Sequence, residues 1–356
     1  MNIISDISKD TQTPKPKPGS YEWWYFDAMT DDGYSIVVIF YDGNPFSRRY
    51  IQALQNKKSP KAGEYPAISI SVYKDSKPLF YAFEELNAAD SHFSEQEPNG
   101  SVGANSFTAI RSGSATSYKV TLNQSVPNGD TIKANLVFKD RLKGDLSGSD
   151  FNRISNTSEH TWNLVMPICR VEGEVATSGY YQEQFQFSGT GYHDHNTGFE
   201  PMKESFTEWY WGRYHLENQV LVYYLMNING KWDKQAWLIS DFGEVHPFTK
   251  KAELKNKGLS IFGLDSARSI EFNGSEQQLF IQKDKILDNG PFYQRFEGGL
   301  LFNNEGAIEQ GRGISEYIYP SRIYNKFFWP IVNMRVKYPG NAHWVQKNPV
   351  LYRWTW

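Results

Sequence analysis

The chain has 356 residues, a length that suggests two domains more readily than one. Its formal net charge of -3 provides no basic field, so the sequence does not predict nucleic-acid binding. Aromatic residues make up 16% of the chain, which favours β structure and a pocket for a large apolar ligand.

Two features bear on cellular location. Cys169 is the only cysteine, so no intrachain disulfide can form, which is typical of a reducing compartment. The first ten residues lack a basic start followed by an apolar run, so we expect no secretory signal. The sequence therefore predicts a cytoplasmic protein. Peripheral membrane association and the oligomeric state stay open at this level.

The first half begins with a polar, proline-rich lead-in, assigned to residues 1–18. Residues 21–28 form a dense aromatic stretch, and the β-branched run at residues 34–41 predicts a buried strand. Alternating apolar residues flank the Pro-Asn-Gly-Asp turn at residues 127–130, which predicts a β-hairpin. No long stretch in this half has a sustained helical period.

The second half repeats the opening of the first. Residues 208–211, Glu-Trp-Tyr-Trp, echo residues 22–25, and each motif precedes an apolar strand. Such self-similarity indicates two related units in tandem, and many short strands with turn signals indicate a sandwich or barrel. We therefore predict an all-β protein with two tandem antiparallel β-barrel or sandwich domains, residues 19–200 and 201–356.

The glycine-rich strip at residues 188–198 concentrates polar and aromatic groups between glycines. Successive side chains of an extended strand point to opposite faces. One face would then carry Tyr192, Asp194 and Asn196, and the other His193 and His195. The rest of the chain is expected to place this strip in a pocket.

Asp194 is the candidate acid of this strip. Burial among aromatic rings raises the pKa of a carboxyl group, whereas a protonated imidazole nearby lowers it. A carboxyl group kept neutral could protonate an alkene, and Trp and Tyr faces could stabilise the resulting cation. A buried aspartate that accepts bonds from turn amides is an equally good interpretation of the residues alone.

Other chemistries have weaker signals in the sequence. His193 and His195 share a strand face and could bind zinc with His160 or His215, but no further ligands cluster with them. Nucleophile-elbow and phosphate-loop motifs are absent, and Cys169 lies in an apolar strand where a thiol is usually inert. The sequence therefore predicts no metal and no other cofactor.

Taken together, these motifs resemble the carotenoid 1,2-hydratase (hydroxyneurosporene synthase-like) family, whose members are lipocalin-like. The resemblance spans residues 19–356 and implies two tandem lipocalin-like domains with a ligand cleft. It rests on Tyr21-Glu22-Trp23-Trp24-Tyr25-Phe26-Asp27-Ala28, His160-x-Trp162, Gly191-Tyr192-His193-Asp194-His195-Asn196 with Gly198, and Trp209-Tyr210-Trp211-Gly212-Arg213.

The resemblance also implies roles for individual residues. His-x-Trp and Tyr-x-Asp pairs are implicated in the family's cofactor-free addition of water to a terminal isoprenoid double bond. They match His160, Trp162, Tyr192 and Asp194, our candidate catalytic residues. The candidate substrate-binding residues are Glu22, Trp23, Trp24, Tyr25, His193, His195, Asn196, Trp209, Trp211 and Arg213.

Three functions are compatible with these residues. The first is a hydratase that adds water to a C=C bond of a polyene or isoprenoid. The second is a cyclase or pericyclase, like fungal Diels–Alderases of the same superfamily, which acts mostly by orienting a polyene. The third is a non-catalytic carrier of a lipid or polyene. All three have a hydrophobic small molecule as partner, and the paired motifs favour the hydratase.

Overall fold

The computed structural model describes residues 1–112, 115–144, 146, 151, 159–248, 252–274 and 277–356. The chain forms two compact units. The first comprises the described residues of Met1–Arg141, Phe151–Ser205 and Lys326–Trp356, and the second those of Leu142–Asp150 and Phe206–Asn325.

The first unit is built on one sheet of twelve strands within its described residues. These are β1 Asn2–Ile4, β2 Tyr21–Thr30, β3 Tyr34–Asp42, β4 Ala67–Lys74, β5 Lys77–Glu85, β6 Ser91–Phe93, β7 Asn99–Val102, β8 Asn105–Ser112, β9 Ala115–Ser125, β10 Thr131–Asp140, β11 His160–Ser178 and β12 Glu183–Gly198. Their order is β5-β4-β3-β2-β12-β11-β10-β9-β8-β7-β6, with antiparallel neighbours, and β1 pairs in parallel with β11.

The second unit is built on one antiparallel sheet of nine strands within its described residues. These are β13 Glu208–His215, β14 Gln219–Ile228, β15 Lys231–Ser240, β16 Val245–Pro247, β17 Ala252–Leu259, β18 Asp265–Asn273, β19 Gln277–Asn289, β20 Tyr293–Asn304 and β21 Ala307–Ile318. The order along the sheet is β16-β15-β14-β13-β21-β20-β19-β18-β17.

Helices are few and short. The α-helices are α1 Arg48–Gln55, α2 Met202–Ser205, α3 Trp329–Arg335 and α4 Pro349–Arg353. Short 3-10 helices cover Ile7–Lys9, Ala62–Glu64, Ala88–Asp90, Pro320–Tyr324, Lys326–Phe328 and Trp344–Lys347. Among the described residues, no helix has the length and apolar character needed to cross a membrane.

The two sheets share one topology, as the repeated Glu-Trp motif suggests. The motif lies at the start of β2 and again at the start of β13. Each of these strands pairs with the next strand in the chain on one side and with the last strand of its own sheet on the other. The prediction of two tandem lipocalin-like antiparallel β domains is confirmed.

The predicted hairpin around residues 127–130 is present as β9 and β10. The backbone N–H of Val126 donates to the carbonyl of Asp130 at 2.9 Å and closes the turn. Gly129 has a φ of 93°, a conformation that residues with a Cβ atom rarely adopt. A glycine at this position therefore fixes the register of the two strands.

The C-terminal segment, Lys326–Trp356, belongs to the first unit. Lys337 extends the edge of the first sheet, because its N–H donates to Phe83 and its carbonyl accepts from Glu85, each at 2.8 Å. Its side chain also pairs with Glu84. The predicted 201–356 domain and the second unit therefore differ at their C-terminal ends, since backbone pairing at a sheet edge leaves no periodic signal in the sequence.

We expect Gly198→Ala to destabilise the first unit. A Cβ atom at Gly198 would lie 2.2 Å from Cζ of Tyr21, so the tyrosine ring would have to move. Overpacking of this kind costs about 1–3 kcal/mol, which denaturant unfolding would detect. Gly63→Ala is the matched control, because its Cβ would lie 3.5 Å from Asp42 Oδ1, an ordinary contact. Equal stability of the two variants would contradict the packing described here.

Candidate active site

Two adjacent strands, β11 and β12, carry the predicted catalytic residues, and β2 pairs with the other side of β12. Asn196 on β12 lies opposite Trp23 on β2 and Trp162 on β11, and Asp194 lies opposite Tyr25. Paired residues share a sheet face, so this pairing collects one set of side chains. We call it the carboxyl face, and its members are Tyr21, Trp23, Tyr25, His160, Trp162, Tyr192, Asp194 and Asn196.

The Asp194 carboxyl group is the centre of the carboxyl face. Its Oδ2 atom accepts hydrogen bonds from the indole N–H of Trp162 and the hydroxyl of Tyr192, each at 2.8 Å. Its Oδ1 atom accepts from the amide of Asn196 at 2.8 Å. Asp194 is 3% exposed, so these bonds are sheltered from water. Three donors fix the orientation of the carboxyl group.

His160 extends this network from the far side of Asn196. Its Nε2 atom lies 3.1 Å from Asn196 Oδ1, and its Nδ1 atom lies 3.1 Å from the hydroxyl of Tyr21. Burial lowers the pKa of His160 to about 3, so the ring is neutral near neutral pH. Because the Asn196 amide nitrogen donates to Asp194, its oxygen must accept from Nε2–H of His160, and Nδ1 then accepts from Tyr21.

An aromatic wall surrounds these polar groups. Trp23 stacks on Tyr21 with ring centroids 5.4 Å apart and lies 5.8 Å from the ring of His160. Tyr25 meets Tyr192 edge to face at 6.2 Å. Trp23 is half-buried, whereas Tyr21 and Tyr192 are fully buried. The carboxyl face therefore combines one carboxyl group with several π faces.

The opposite side of β12 carries the two imidazoles and is here called the histidine face. Asp10 bridges them, with Oδ2 at 3.1 Å from Nε2 of His193 and Oδ1 at 3.3 Å from Nδ1 of His195. The hydroxyl of Tyr118 also donates to Asp10. Trp24 stacks on His195 with centroids 4.5 Å apart. Asp10, from the N-terminal segment, is thus held at the centre of this face.

Glu22 completes the histidine face. Its Oε1 atom lies 2.9 Å from Nε2 of His195, and its Oε2 atom lies 2.5 Å from Lys15, which also pairs with Asp42 at 2.6 Å. Burial opposes the charge of His195, but hydrogen bonds to Asp10 and Glu22 outweigh it and raise the pKa of His195 to about 9. Interactions with His193 and His195 lower the pKa of Asp10 to about 2 despite its burial.

A cavity of about 350 Å³ opens on the histidine face. Its lining includes Asn163, His195 and Thr197, together with residues of the N-terminal segment, and none of the four predicted catalytic residues. The reason is geometric, because His195 and Thr197 alternate along β12 with Asp194 and Asn196. One face of β12 therefore lines this cavity, whereas the other carries the predicted catalytic residues of the strand.

The structure separates the predicted substrate-binding residues into three groups. Trp23, Tyr25 and Asn196 share the carboxyl face, whereas Glu22, Trp24, His193 and His195 lie on the histidine face. Trp209, Trp211 and Arg213 are buried on one face of β13 in the second unit. Contact of any of these three groups with substrate stays a prediction.

Several residues of these networks were not found from the sequence. Asp10 and Lys15 lie in a stretch whose prolines and polar residues indicate only an extended lead-in. Buried imidazoles do require hydrogen-bond partners, and that requirement was the available signal. The described residues contain no group of three or more His, Cys, Asp or Glu side chains arranged to hold a metal ion. Within the strip, His193 and His195 instead hydrogen-bond to Asp10 and Glu22.

We expect deprotonation of His195 to destabilise the fold. Its pKa is raised from the ordinary 6.5 to about 9, so its stabilisation is complete below about pH 6.5 and is lost as the pH rises through about 9. The melting temperature should therefore fall between about pH 7 and pH 9.5 in thermal unfolding experiments.

His195→Gln should remove most of this slope. It should also lower stability by about 3–5 kcal/mol, because Asp10 and Glu22 would lose a buried cationic partner. His92→Gln is the control, since His92 is exposed. An unchanged slope in the His195 variant would show that other groups cause the pH dependence.

The comparisons with known proteins agree with this architecture. The sequence model of the carotenoid hydratase CrtC family matches residues 116–347. The hydroxyneurosporene dehydrogenase of Chlorobaculum tepidum is 28% identical over 343 residues, which cover 92% of this chain and 89% of that protein. The acyclic carotenoid 1,2-hydratase of Thiocapsa roseopersicina is 23% identical, and the match covers 78% of this chain and 64% of that protein.

A solved structure shows the same fold. Kievitone hydratase from Nectria haematococca superposes with a TM-score of 0.54 at 13% identity, covering 89% of this chain and 97% of that one. Since the family model matches more than half of the sequence, the chain belongs to the carotenoid hydratase CrtC family and is an enzyme of the hydratase or cyclase type.

Proposed function

We propose that this enzyme adds water to a carbon–carbon double bond of a polyene or isoprenoid, with Asp194 as the general acid. The supporting observation is the Asp194 carboxyl group, which is sheltered from water, held by three donors and flanked by aromatic rings. Membership of the carotenoid hydratase family favours the same reaction and a hydrophobic substrate.

The proposed reaction has two steps. The protonated Asp194 carboxyl group gives its proton to one alkene carbon, which leaves a carboxylate and a carbocation. Water then forms a C–O bond at the cationic carbon and returns one proton to the carboxylate. The sum is one alkene plus one water giving one alcohol, and Asp194 ends in its starting state. No electrons are exchanged with a second molecule, so the proposed chemistry requires no redox cofactor.

The three donors assist the first step. As the proton leaves, negative charge develops on the carboxyl oxygens, where Trp162, Tyr192 and Asn196 already point their N–H and O–H groups. Donors fixed in advance stabilise developing charge without reorganisation, and a low-dielectric site strengthens their effect. The network thus favours the product state of proton transfer.

The aromatic wall and His160 suit the cation that forms next. The π face of Trp23 attracts positive charge, and Trp23 is half-buried on the same face as Asp194. A charged imidazole would repel the cation, but the lowered pKa keeps His160 neutral. His160 acts as a positioning residue in this proposal, because it reaches Asp194 through Asn196.

We expect Asp194→Asn to abolish most turnover while substrate binding persists. The amide cannot supply the acidic proton, and general acids typically contribute about 10²–10⁴-fold to the rate. The apolar and aromatic walls remain, so the binding of an acyclic carotenoid should change little. Steady-state turnover and equilibrium binding should both be measured on the purified variant.

Asp31→Asn is the matched control, because Asp31 lies exposed in the turn between β2 and β3 and should keep full activity. Circular dichroism and thermal unfolding would show that both variants are folded. Near-normal turnover of Asp194→Asn would reject Asp194 as the acid. That result would favour a cyclase that works mainly by orienting its substrate.

A further inference from the structure

A lysine of the second unit is buried without a hydrogen-bond partner among the described residues. Lys283 lies on β19, and alternation places it on the same face as the core residues Leu279 and Ile281. It is 3% exposed, and its Nζ atom has no hydrogen-bond partner in the part of the chain that the structure describes. The amine instead lies 4.4 Å from the ring centre of Tyr210 and 4.9 Å from that of Phe296.

A second basic side chain lies beside this lysine. Arg268 on β18 is one position beyond the last paired residues, Ser269 and Gln282, and Lys283 is the corresponding next residue on β19. The guanidinium group of Arg268 lies over the ring of Phe296 at 5.0 Å. Arg268 is half-buried, so part of its side chain is exposed to solvent.

The two basic side chains have no acidic partner among the described residues. Neither Lys283 nor Arg268 forms an ion pair there, although most charged side chains in protein interiors are paired. A buried amine with no acceptor is costly, and a neighbouring positive charge adds to that cost. The arrangement therefore lacks an anionic acceptor that could satisfy both groups.

We propose that Lys283 and Arg268 form a binding site for a carboxylate that is carried by an apolar molecule. The fork of the guanidinium group matches the two oxygens of a carboxylate, and the amine supplies a further donor. The aromatic faces of Tyr210 and Phe296 favour an apolar body next to the head group. A monoanion is also less costly to remove from water than a dianionic phosphate.

Protonation of Lys283 is coupled to binding at this site. Burial, together with the charge of Arg268, lowers the pKa of Lys283 well below its usual value. The charged or titratable groups that face the amine are Arg268 from β18 and Tyr210 from β13. A bound carboxylate favours the ammonium form, so binding takes up a proton wherever the free amine is unprotonated and weakens as the pH rises.

Decanoate and 1-decanol test the proposal on the full chain. They share an apolar body, but only decanoate carries a carboxylate. We expect decanoate to raise the melting temperature saturably and 1-decanol to produce a smaller shift. Lys283→Met should lose the extra shift due to decanoate, whereas Lys285→Met, at an exposed position of the same strand, should keep it.

Calorimetry provides a second measurement that does not depend on a variant. Titration of the wild-type protein with decanoate at several pH values up to 10, each in two buffers of different ionisation enthalpy, should show uptake of up to one proton per bound ligand at the pH values where the free amine is unprotonated. Equal shifts with decanoate and 1-decanol, an unchanged decanoate shift in Lys283→Met, or binding without proton uptake at any of these pH values would each overturn the proposal.

Discussion

The candidate site depends on the pairing of β12 between β2 and β11. Because side chains alternate along a strand, a slip of one residue would exchange the two faces of β12. Asp194 would then lose Trp162, and His195 would lose Glu22. Gly198 permits this register at one end, since the Tyr21 ring occupies the space that a Cβ atom would need.

Opposite faces of the first sheet give histidine two different roles. His160 on the carboxyl face has neutral partners, Tyr21 and Asn196, so burial dominates and the ring stays uncharged. His195 on the histidine face lies between two carboxylates and holds its proton. The neutral ring suits a site proposed to form a carbocation, whereas the charged ring fastens the N-terminal segment to the sheet through Asp10.

Local patterns in the sequence predicted much of this arrangement. Alternation separated Asp194 from His195, the repeated Glu-Trp motif indicated two related sheets, and the Asn-Gly turn located a hairpin. Contacts between distant segments left no such pattern. The attachment of Asp10 to the histidine pair and the pairing of Lys337 with β5 join residues far apart in the chain. Local propensity and periodicity do not record which distant segments meet, so these contacts required the structure.

Product analysis tests the proposed hydration most directly. The wild-type enzyme should be incubated with an acyclic carotenoid in water labelled with heavy oxygen and deuterium, and the product analysed by mass spectrometry. The proposal predicts one labelled hydroxyl group and one solvent-derived hydrogen on the adjacent carbon. A product isomeric with its substrate and free of solvent oxygen, or a product that has lost hydrogen, would contradict it.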